Sequence, residues 1–69
     1  MAKIKLDRKW RLLKENTIQA AVANFKAKQY TDDYYTGAFE ALDHLLTQMD
    51  EMENIKEWEA ILHDLNKHN

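Results

Sequence analysis

The sequence predicts an all-α fold: an antiparallel helical hairpin followed by a short third helix, together a three-helix bundle. Three observations carry that prediction. Apolar residues recur three and four positions apart through most of the chain, which sets them along one side of α-helices. Glycine occurs once and proline never, so the turn chemistry that β-rich folds use is missing. The 69 residues suffice for one helical domain, 1–69, and such a domain buries only roughly 60% of its unfolded surface. Chains this small commonly need a staple or a partner. With no Cys there is no disulfide, so self-association, as a dimer, is expected.

The elements follow in order. Residues 1–6 alternate too briefly to define a strand and read as an extended arm or a fraying turn. A first helix is expected over about 7–29, with Asp7 as N-cap. Its stripe is Leu6, Trp10, Leu13, Thr17, Ile18, Ala21, Val22 and Phe25. The Ala-rich run Gln19–Ala27 favours helix. The chain then breaks at Tyr30–Thr31. Thr31 suits an N-cap, and the acids Asp32 and Asp33 complement the positive end of the next helix.

The second helix, about 32–52, carries the cleanest pattern: Tyr35, Ala38, Phe39, Leu42, Leu45, Leu46, Met49 and Met52. Beyond Met49 the apolar residues step by threes, to Met52, Ile55, Trp58 and Ile61. Each such step falls about 60° short of a full turn, so one straight helix cannot bury both stretches on the same partner. A bend near Glu53–Asn54 is expected, the alternative being a continuous helix with a second face. Asn54 and Glu57 have the spacing of a capping box. The third helix is then about 55–67, with Ile55, Trp58, Ile61, Leu62 and Leu65 inward; His63, Lys67 and His68 suit its C-terminal end.

Folding the hairpin about Tyr30 pairs Phe25 with Tyr35, Val22 with Ala38 and Phe39, and Ile18 with Leu42. Leu13 and Trp10 then meet Leu46, Met49 and Met52. The same register sets Arg8 and Arg11 near Asp50, Glu51 and Glu53, and Lys28 near Asp32 and Asp33.

Charge is split between the halves. Residues 1–30 hold eight Lys and Arg against two acids, a net of +6; residues 31–69 hold two against ten, a net of −8. Such asymmetry points either to nucleic-acid contact or to an acidic interaction surface, or to two halves that neutralise each other. Asp33, Glu40, Asp43, Asp50 and Glu51 fall opposite the apolar stripe of the second helix. With Glu57, Glu59 and Asp64 they form an acidic ridge suited to a basic protein partner. Tyr30, Tyr34 and Tyr35 cluster at the hairpin tip, and exposed Tyr anchors protein interfaces. The partner-binding candidates are therefore Asp33, Tyr34, Glu40, Asp43, Asp50 and Glu51. The alternative is a basic face, Lys5, Arg8, Lys9 and Arg11, that contacts phosphates. An acidic second helix argues against groove insertion, so nucleic acid is the lesser expectation. A further alternative is a structural homodimer with Trp58 and Ile61 buried between chains.

No enzymatic constellation is found. There is neither Cys nor Ser, and Gly37 stands alone without a phosphate-cradling loop. Glu40–His44 and Glu59–His63 are four apart, whereas di-iron bundles use Glu-x-x-His, so no metal and no cofactor are expected. A bundle this small leaves little room for a pocket. Gly37 costs about 1 kcal/mol in a helix, which suggests close approach of a neighbouring helix. No stretch reaches the ~20 apolar residues of a membrane span, and the basic N-terminus lacks the apolar run of a secretory signal. A soluble cytoplasmic protein without membrane contact is expected.

The stretch Asp33-Tyr-Tyr-Thr-Gly-Ala-Phe-Glu-Ala-Leu-Asp-His-Leu-Leu, with Met49 and the acidic end after it, resembles small helical proteins encoded by bacteriophages and prophages. Those carry a Tyr-x-Gly-x-x-x-Ala-Leu stretch opening an acidic helix. The resemblance covers about a third of the chain. It implies a phage-like origin and a non-enzymatic inhibitor or regulator that binds a host protein, for example a nucleic-acid-handling defence protein. It assigns no functional residues.

Overall fold

The computed structural model describes the backbone of residues 2–30 and 33–67 and the side chains of 8–30 and 34–67. The expected N-cap Thr31 and the expected first-turn acid Asp32 lie outside those residues, as do the side chains of Lys5, Leu6, Asp7, Asp33 and His68. Three helices follow in order: α1 Ala2–Ala27, α2 Asp33–Glu53 and α3 Glu57–Lys67. The fold is the all-α three-helix bundle that the periodicity predicts. Its extents are 45 × 21 × 15 Å. The 26 residues of α1, about 39 Å at 1.5 Å each, set the long axis.

The helix boundaries differ from expectation. α1 begins at Ala2, so residues 2–6 are helical and Asp7 is inside the helix, not at its cap. The strong helix formers Lys3, Lys5 and Leu6 carry the helix through a stretch whose alternation was too short to signal it. At its other end α1 closes two residues early, through tightened bonds from Gln29 N–H to the Lys26 carbonyl (3.3 Å) and from Tyr30 N–H to the Ala27 carbonyl (3.0 Å).

The hairpin register is shifted by one helical turn. Phe25 meets Phe39, with ring centroids 5.4 Å apart, and not Tyr35. Lys14 meets Asp50. In both pairs the residue numbers add to 64, whereas folding about Tyr30 makes them add to 60. The connection takes up chain of its own, so the centre of the reversal lies beyond Tyr30. Lys28 closes this end of the core, with its ammonium 5.0 Å from the Phe25 ring centroid and 5.5 Å from that of Phe39.

The core is Ala21, Phe25, Phe39, Leu46, Met49 and Trp58, with Trp10, Ile18, Val22, Leu42, Ile61, Leu62 and Leu65 packed around it. Trp58 is 1% exposed and sits 6.3 Å from Phe39 between ring centroids. Its burial inside the chain removes it from any interface between two copies. Fully burying a side chain of this kind contributes about 1.5–3 kcal/mol.

One core position contradicts the apolar stripe of α1. Leu13 is 57% exposed, and Lys14 beside it is fully buried. Positions 10, 14, 17, 21 and 25 step by four and three residues, and that row faces α2. Position 13 lies 100° away. A straight helix cannot turn Leu13 inward without turning Ala21 and Phe25 outward. Leu45, Met52 and Ile55, all expected inward, are likewise exposed.

The bend at Glu53–Asn54 is present, but Asn54 serves α2 rather than α3. It adopts φ 58°, the left-handed region that Asn tolerates. Asn54 N–H bonds to the Glu51 carbonyl (3.1 Å), and Ile55 N–H bonds to the Asp50 carbonyl (3.1 Å). This pair of bonds is the Schellman motif, which ends helices without Gly or Pro when Asn takes the left-handed position.

Candidate functional site

With Asn54 spent on ending α2, the start of α3 is capped from a distance. Asp50 Oδ2 accepts the backbone N–H of Trp58 at 2.8 Å. Its other oxygen accepts Lys14 Nζ at 2.6 Å. Lys14 also bonds to Glu53 and lies 3.2 Å from Glu57. Arg11 adds a bidentate pair to Glu57, at 2.9 and 2.7 Å, and a bond to Glu15 at 3.1 Å. Trp58 Nε1 donates to Asp43 Oδ1 at 2.7 Å. All three helices thus meet in one polar cluster below the apolar core.

The electrostatics follow from that geometry. Burial pushes the Lys14 ammonium down, but its bonds to Asp50, Glu53 and Glu57 outweigh burial and hold it up at about 12. Glu57 is lowered to about 2, first by its hydrogen bonds to Arg11 and then, against desolvation, by those to Lys14. Arg11 is raised by the same bond to Glu57 and by Glu15. Oxygens of Asp50, Glu53 and Glu57 lie within 4.8 Å of one another, a spacing that suits a metal ion. Lys14 supplies the positive charge among them, so the trio is a buried ion-pair network in its own right.

The predicted site residues divide. Asp50 is buried and Asp43 is half-buried, and both face α3. Neither stands on an outward ridge. Glu40, Glu51 and Tyr34 are exposed as expected. On the alternative basic face, Arg8 and Lys9 are exposed, while Arg11 is committed to Glu57 and Glu15 rather than to Asp50, Glu51 or Glu53. Gly37 is exposed, and a Cβ built on it meets nothing within 4 Å, so no neighbouring helix explains it. Surface grooves exist despite the size of the chain. One of about 500 Å³ lies in the α2–α3 elbow against Trp58, Ile55 and Leu62. Its Asp43 and Asp50 are already bonded to Trp58.

What the stripe reading missed is a second row on α2. The inner row, Tyr35, Phe39, Leu42, Leu46, Met49 and Glu53, packs on α1. One residue earlier runs Tyr34, Ala38, Ala41, Leu45, Gln48 and Met52, with the same four–three alternation. In this outer row Tyr34 is 78%, Leu45 45% and Met52 74% exposed. α1 carries a row of the same four–three spacing, Lys9, Leu13, Asn16, Ala20, Ala23 and Ala27, whose first four members each lie one residue before Trp10, Lys14, Thr17 and Ala21. At 100° per residue these two outer rows lie on one side of the hairpin, and Asp43, Asp50, Arg11 and α3 lie on the other. The signal was present in the sequence as a double heptad pattern, hidden because Leu45 and Met52 fit a single broad stripe. Among the described residues no helix is long and apolar enough to cross a membrane. Comparison of the chain with known protein families, curated proteins and solved structures finds no match.

Proposed function

We propose that this chain is a non-enzymatic protein-interaction module that binds through the outer row of α2. The observation that supports the reading is the unbroken heptad spacing of Tyr34, Ala38, Ala41, Leu45, Gln48 and Met52 on the side of the hairpin away from α3. A second helical neighbour is what such a row accommodates. Exposed aromatic and Met side chains are also the types that interfaces favour.

In the phage-type form that the resemblance in α2 implies, the bound protein is a host factor and the chain acts stoichiometrically, as an inhibitor or regulator. Glu40 and Glu51, still exposed on α2, then favour approach of a basic partner. The test is affinity capture from a bacterial lysate with the unmodified chain, with Leu45→Glu and with Glu40→Lys/Glu51→Lys. Loss of a captured protein with Leu45→Glu is expected, along with slower capture by the charge-reversed chain. Identical capture by all three chains refutes the reading.

A further inference from the structure

We infer that in the free chain, with no other protein bound, the occupant of the outer rows is a second copy of this chain, packed so that α1 of each copy lies along α2 of the other. The inference rests on the reading of that face as a protein-binding surface and names what covers it until another protein displaces it.

The argument starts from register. Within one chain, residues of α1 and α2 at the same level have numbers adding to 64, as in Phe25–Phe39 and Lys14–Asp50. A two-fold axis parallel to the helices leaves every residue at its own level. It sets the outer row of α1 across from the outer row of α2 in the other copy. The one uncharged polar residue of each row then meets its counterpart, because Asn16 and Gln48 also add to 64. An amide facing an amide satisfies both at a desolvated seam, and a lone polar pair in a heptad seam fixes register.

The flanking positions match in size. Ala20 of one copy faces Leu45 of the other, Leu13 faces Met52, and Ala23 faces Ala41. Ala38 lies level with Ala27, a small pair that lets the two backbones approach. The isologous contact repeats each match twice and closes on itself. The result is an antiparallel four-helix arrangement of two hairpins, with each α3 on the outside.

Sedimentation equilibrium on the purified chain, from about 1 μM to 1 mM, tests this. A dimer is expected, weakened at least about tenfold by Leu45→Glu with helicity by circular dichroism retained. Leu12→Glu, on an exposed position off the outer row, leaves association unchanged. Orientation is read by oxidising a mixture of Asn16→Cys and Gln48→Cys chains, since the natural chain has no Cys. Disulfides between the two variants are expected to dominate. A monomer throughout the range, a dimer insensitive to Leu45→Glu, or a predominance of like-with-like disulfides overturns the inference. If the chain is monomeric but Leu45→Glu still loses a captured protein, the inference falls and the interaction module stands. If it is monomeric and capture is also unchanged, both fall.

Discussion

The carboxylate of Asp50 bridges the backbone N–H of Trp58 and the ammonium of Lys14, at 2.8 and 2.6 Å. One side chain on α2 therefore caps the start of α3 and neutralises the buried cation of α1. This one residue ties the start of α3, where Trp58 packs beside Phe39, to α1 and α2 together.

Its two roles separate by substitution. Asp50→Asn keeps an oxygen for the Trp58 N–H but loses the charge that Lys14 faces. Asp50→Ala loses both. Urea denaturation should show Asp50→Ala less stable than Asp50→Asn by about 1 kcal/mol, the usual worth of an N-cap. Equal losses would mean that the cap contributes nothing.

Removing the cation should cost more. Lys14→Met keeps a long apolar stem but leaves the carboxylates of Asp50 and Glu53 without their buried counter-charge. Truncating one side of such a network destabilises by about 3–5 kcal/mol. In a chain this small, that should leave much of the population unfolded at 25 °C by far-UV circular dichroism. Wild-type helicity would contradict the assignment.

Acid should act through Glu57. Its carboxyl is depressed from 4.5 to about 2 in the fold. The unfolded chain therefore takes up its proton first as pH falls, and stability present above the unfolded value is lost as pH drops towards the folded one. Thermal midpoints should decline between about pH 4.5 and 2, and Glu57→Gln should be less stable at neutral pH with a shallower decline across that window. At the alkaline end the sign reverses. Lys14 is raised from 10.5 to about 12, so its contribution is complete below the lower value and fades as pH rises through the upper.

Gly37 should be replaceable in the isolated chain. It has no positive φ and nothing within 4 Å of an added Cβ. Gly37→Ala should stabilise the monomer by about 0.4–1 kcal/mol, mainly by restricting the unfolded chain. A thermal midpoint lowered at a dilution where the chain is monomeric would show a constraint that the helix geometry does not contain.

Three helices, the break after Glu53 and most of the core were legible from spacing alone. Phe25, Phe39, Leu46, Met49 and Trp58 all lie on the predicted stripes. Spacing is a local property, and a helix of given period presents a fixed row whatever it packs against. The break-up of the expected acidic ridge was not legible, because Asp43 and Asp50 leave it only when α3 folds back over them. Nor was the exchange of Leu13 for Lys14. Hydropathy favours the leucine, and only the shared alignment of Ala21 and Phe25 against α2 forces the lysine inward. The sequence by itself determined which segments coil and roughly where they stop. The tertiary structure decided the one-turn register, the role of Asn54 as the end of α2 and the meeting of Lys14 with three carboxylates. The last of these rests on contacts between residues 36 to 43 positions apart, whose energies no local pattern encodes.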